Sequence, residues 1–161
     1  MKPKKAPDLS AALARGVDAA TSLNTATDSL TETLGQVERA LVELHLGVEA
    51  SVELRREDID VGEDHGGPIV EETRLRFGKS GKRWTLSVMR SHELMDDWHE
   101  TPLVNASRED RLLAVTKLPE LVEALVLRAE ERLAEVTAQR EKAREVLDAL
   151  VAARAKKLGS P

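Results

Sequence analysis

Apolar residues along this chain recur at two different spacings, and the change from one to the other marks its elements. Leu13, Val17, Ala20, Leu23, Leu30, Leu34, Val37, Leu41 and Leu44 lie mostly three or four apart, which gathers them on one side of a helix. Asp8 or Ser10 can cap this helix, so it is predicted over 8–46. Gly16 and the run Thr21, Ser22, Asn24, Thr25 and Thr27 lower helix propensity, and fraying is expected there first.

Gly47 suits the left-handed position that ends many helices. Beyond it the period falls to two: Val48, Ala50, Val52 and Leu54 alternate with Glu49, Ser51, Glu53 and Arg55, as in a strand with one buried face. After an acidic, glycine-rich segment at 57–67, a second strand is predicted over 69–77 and a third over 82–89. Gly78-Lys79-Ser80-Gly81 is read as the connection. Thr73, Leu75 and Phe77 then share a face with Trp84, Leu86 and Val88. These three strands form a β head over 48–90, and 91–106 reads as an irregular loop in which Trp98 folds back and Pro102 blocks extension.

Ser107 and Asp110 have the spacing of a helix-start signal. Pro119 cannot donate its N–H and disfavours the helical conformation at Leu118, so a short helix over 108–117 and a long one over 119–157 are predicted. Leu118, Val122, Leu125, Ala129 and, after a one-residue slip, Leu133, Val136, Ala143, Leu147 and Leu150 form its stripe. The first and last helices have similar reach, nearly 60 Å each at ~1.5 Å per residue.

The expected fold is α+β, mainly helical: two long antiparallel helices in a coiled-coil-like hairpin, with a three-stranded antiparallel sheet inserted at one end. Residues 8–158 make one domain and residues 1–7 a mobile basic tail. The helix, small sheet, helix order resembles the prefoldin type of chaperone subunit in outline, with no residue motif behind it and no function carried over. Two helices alone cannot bury a stripe this wide, so self-association into a bundle, or docking on a partner helix, is expected. The seam would use Leu34, Val37, Leu41, Leu44, Leu133, Val136, Leu147 and Leu150.

Composition narrows the function. Only 2% of the 161 residues are aromatic while 33% are charged, which suits a helical assembly better than an enzyme with a walled substrate pocket. There is no cysteine, which removes disulfides, thiolate metal sites and thiol nucleophiles. A net charge of −5 argues against general phosphate binding. No apolar run is long enough to span a bilayer and no signal core follows the first lysines, so a cytoplasmic location without membrane association is expected.

Four clusters could carry chemistry. Asp58, Asp60, Glu63 and Asp64 lack the ligand spacing of a calcium loop, and a solvated loop is the preferred reading. His92, Asp96 and His99 could converge on a metal if locally helical, but a polar loop explains them as well, so no metal or other cofactor is expected. Arg74, Arg76, Lys79, Lys82 and Arg83, with Phe77 and Trp84 interleaved, offer a surface for an acidic partner. Since alternation turns the aromatics inward, nucleic acid is possible there but not favoured. Gly78-Lys79-Ser80-Gly81-Lys82 lacks phosphate-loop spacing and a following helix, and no serine has a supported base. The function expected is that of a non-enzymatic interaction or scaffold protein that oligomerises or docks on partner helices. The alternative is a nucleic-acid-binding accessory protein using the basic hairpin.

Overall fold

The computed structural model describes residues 9–59, 69–92 and 98–158. Helix α1 spans Leu9–Glu43. Strands β1 Ala50–Ile59, β2 Ile69–Ser80, β3 Arg83–His92 and β4 His99–Pro102 follow, then a 3₁₀ turn at Leu103–Asn105 and helix α2 at Arg108–Leu158. The strands form one antiparallel sheet in the order β1-β2-β3-β4. Val52, Leu54, Leu75, Phe77, Leu86 and Val88 of the sheet pack with Leu34 and Leu41 of α1 and with Ala114, Leu121 and Leu125 of α2 in a single core. Both helices therefore cover the same face.

The layout is α+β, but the expected antiparallel hairpin with a three-stranded sheet at its tip is overturned, and with it the outline likeness to prefoldin subunits. The turn after α1, where His45 and Gly47 both take positive φ, sends β1 straight back along the helix. The sheet thus lies beneath the helices rather than beyond them. The turns into β1, β2, β3 and β4 reverse the chain four times, so β4, and α2 after it, run in the direction of α1. Contacts fix this parallel sense: Arg108 at the start of α2 donates to Asn24 of α1, while Glu38, further along α1, meets Thr85 and Leu86. α2 likewise runs from Arg55, beside Glu109 and Asp110, to the cleft beside Glu49. The helices touch the sheet far more than each other. Their unsupported halves leave the sheet at opposite ends, α1 over residues 9–26 and α2 beyond about residue 130, and are almost wholly exposed.

Several local findings follow from tertiary anchoring. α2 is continuous through Pro119, without the expected restart. The proline and Val115, whose carbonyl loses its donor, both lie on the exposed side, where water can serve that carbonyl, while Leu121 and Leu125 hold the helix on the sheet. The threonines of α1 lie within a continuous helix, their hydroxyls satisfied by carbonyls four residues back, Thr21 to Val17 at 3.0 Å and Thr27 to Leu23 at 2.7 Å. The hairpin loop is Gly81-Lys82, with the positive φ at Gly81 that a type II′ turn needs. Gly78 lies within β2, and a Cβ there would meet the Arg76 guanidinium at 2.6 Å. β4 occupies part of the expected irregular loop. Because it stops opposite Ser87, the Leu86 N–H is left at an open edge, and the Glu38 carboxylate accepts it at 2.8 Å.

No described helix is long and apolar enough to cross a membrane. The expected basic tail at 1–7 lies outside the described residues.

The fold places core energy in the sheet-facing part of α2. Leu121→Ala should lower unfolding free energy by about 2–5 kcal/mol, whereas Leu112→Ala, on an exposed part of the same helix, should change it by less than about 0.5 kcal/mol. Urea titration followed by circular dichroism checks both.

Candidate functional site

The start of α2 is pinned by charge. The Asp110 N–H donates to the Ser107 hydroxyl at 3.1 Å, and that hydroxyl donates to Asp110 Oδ2 at 2.7 Å. In an ordinary capping box the carboxylate would take the cap's N–H; here it takes the cap's hydroxyl. It also takes Arg90 of β3 and Arg55 of β1, the latter at 3.5 Å. Arg55 can reach because the register slips between Glu53 and Arg55. With Leu54 as the extra residue, both Leu54 and Arg55 turn toward the helices. Arg111 secures the same corner by donating to the carbonyls of Val104 and Ala106.

A small polar cavity of about 180 Å³ opens here, lined by Arg90, His99, Ser107 and Asp110 among others. It holds a serine, a histidine and an aspartate, but not as a nucleophile with its base. The hydroxyl is a helix cap, and the carboxylate is committed to two guanidinium groups.

The larger cleft, about 480 Å³, lies where α2 passes the edge of the sheet at β1, with Glu49, Ser51, Arg74, Arg76, Arg128 and Glu131 in its wall. Its arginines are matched by acids. Arg74 pairs with Glu72 at 2.7 Å, Arg76 with Glu49 at 2.6 Å and Glu100 at 3.0 Å, and Arg128 with Glu131 at 3.1 Å. Arg76 thus clamps the entrance to β1 to β4 across the polar face of the sheet, lying over Gly78, which has no side chain to obstruct it. The Lys79 backbone N–H, with Arg76, holds the Glu49 carboxyl below its usual range against the opposing effect of partial burial. For Glu100, burial pushes upward, but hydrogen bonds from Ser87 and Ser80 together with Arg76 outweigh it and hold the group low. The result is an ion-pair lattice in which Arg74, Arg76 and Arg128 each hold a carboxylate.

The remaining sequence candidates are scattered. Leu34 and Leu41 are buried against the sheet and Val37 packs beside them, while Leu44, Leu133, Val136, Leu147 and Leu150 are exposed. Of the basic set, Arg74 and Arg76 are engaged as above, and Lys79, Lys82 and Arg83 are exposed around the hairpin loop. Phe77 stacks on Trp84 with centroids 5.6 Å apart, and Phe77 is in the core. His92 sits opposite Glu71 and His99 opposite Arg90, and Asp96 lies outside the described residues. Among the described residues no three groups could hold a metal ion. Asp58 pairs with Val70 in the sheet, and Asp60, Glu63 and Asp64 lie outside the described residues. Sequence reasoning missed the roles of Arg55 and Arg90. Asp110 was visible through its cap, but no pattern announces the bulge that turns Arg55 toward it.

No protein-family model matches the chain, and comparison with curated proteins and with solved structures gives no match either.

Because Glu49 and Glu100 sit below the ordinary 4.5 when folded, the clamp's contribution is complete above the unfolded value and is lost as pH falls through the folded values. The thermal midpoint should hold steady down to about pH 5 and drop below it. Arg76→Met should remove part of that acid-side drop, as read by circular dichroism melts at a series of pH values.

Proposed function

We propose that this is a cytoplasmic, non-enzymatic interaction protein that joins other helices through its two projecting helical arms, with the sheet as the hub that fixes their directions. The observation that supports this is the exposure of large apolar side chains on both arms. Leu13 and Val17 on α1, and Leu133 and Leu150 on α2, are each 63–67% exposed. Single exposed leucines are ordinary, but a series at helical spacing along an arm is a contact surface waiting for a partner. The matched charges of the cleft argue in the same direction, since they offer little to a small-molecule substrate. Nucleic-acid binding at the hairpin is the weaker reading, because Arg74 and Arg76 already hold carboxylates.

Leu133→Glu combined with Leu147→Glu should abolish association, whether with further copies or with a helical partner, while the circular dichroism signal of the sheet and helices stays. Association unchanged by both substitutions, in light scattering and in crosslinking within the source cell, would refute this role. Reversing the charge of Arg74, Arg76 and Lys82 should leave association intact.

A further inference from the structure

We propose that the α2 arms of two copies of this chain pair side by side in antiparallel register, with Val126 of each opposite Leu150 of the other. This rests on reading the arms as interaction surfaces and names the partner for one of them.

α2 carries two apolar stripes. Ala114, Leu118, Leu121 and Leu125 face the sheet. About a quarter turn away at ~100° per residue, a second stripe starts on the open side of the helix: Val122, Val126, Ala129, Leu133, Val136, Ala143, Leu147 and Leu150. The expected stripe mixed the two, which is why it needed a slip. The second stripe alternates four and three without a slip, and Arg140 fills its one polar position. It spans about 42 Å, four heptads of the pattern that winds one helix around another. Val122 and Val126 are 39% and 48% exposed even beside the sheet, and past the half-buried Ala129 the stripe is open from Leu133 to Leu150.

The residue order along this stripe selects the orientation. A parallel, in-register pair would stack Arg140 on Arg140, and it would set Ala129 and Ala143 each against its own copy, leaving gaps. An antiparallel pair centred on Ala138 sets Ala129 against Leu147, Leu133 against Ala143 and Val126 against Leu150, so that each alanine meets a leucine. Arg140 then lies along Val136 of the other copy, with its stem on the valine and its head in water. The flanks agree. In the antiparallel register Glu130 falls beside Arg144 of the other copy, twice by symmetry, and among the described residues neither forms an ion pair within its own chain. The parallel register would bring Arg132 to Thr137 and Gln139 to Arg144, with no opposite charges matched.

The chain has no cysteine, so single thiols report the register. Leu133→Cys and Ala143→Cys should form a disulfide-linked dimer when the two variants are mixed, and neither should do so alone. In this register, two copies of position 133 lie about 15 Å apart along the axis, too far to bridge. Light scattering at micromolar concentration should give twice the chain mass. Glu130→Arg should weaken the dimer at least about tenfold, and adding Arg144→Glu should restore it. Self-crosslinking of either variant alone, a monomeric mass, or no recovery in the charge swap would overturn the antiparallel pair. A monomer that still loses a helical partner on Leu133→Glu would overturn the pair while leaving the interaction role intact.

Discussion

One carboxylate, that of Asp110, sets where α2 begins on the sheet. It lies at the first turn of α2, where the helix's free N–H groups favour negative charge, and it is held by Arg55 from β1, Arg90 from β3 and the Ser107 hydroxyl. A buried charge with one partner removed is severely destabilising. Here two guanidinium groups from separate strands and a hydroxyl share it. The consequence is positional: the start of α2 is fixed over one row of the sheet, and everything C-terminal is aimed from that point. The bulge at Leu54 is the backbone device behind it, because without the extra residue Arg55 would point to the other face.

The two faces of the sheet are held by different physics. On the helix side, leucine and valine from six elements bury one another, at about 1.5–3 kcal/mol for each large side chain removed from water. On the other side, Arg74 and Arg76 lie among Glu72, Glu49 and Glu100. Each such pair is worth little on its own when solvent reaches it, but Arg76 joins the chain just before β1 to β4 across two intervening strands. The sheet is therefore tied along its length by packing and across its width by charge.

Much of this was legible in the sequence, because periodicity reports burial. α1, the β2-β3 hairpin and the inward aromatics all follow from the spacing of apolar residues. The rest depends on contacts between distant residues. β4 has four residues and ends in a proline, too short to show alternation. The parallel sense of the helices depends on how sharply the chain reverses between Glu43 and Ala50, which Gly47 hints at without giving a direction. Pro119 carries a local penalty that anchored flanks override. Along α2 two stripes run side by side, adjacent at Leu121 and Val122 and again at Leu125 and Val126, so a single-face reading blended residues that serve different neighbours. For the site, exposed Leu133 and buried Leu34 look alike in sequence, and only the placement of the sheet separates them.

The opposed exits of α1 and α2 also have a mechanical consequence. In a hairpin with both ends together, tension on the ends would peel the helices apart one turn at a time. Here, tension drawn through the two arms must slide α1 and α2 past each other across the sheet. The core from Leu34 to Leu125, and the Asp110 bridge with it, would have to shear at once, so the topology suits a strut that keeps its length under pull.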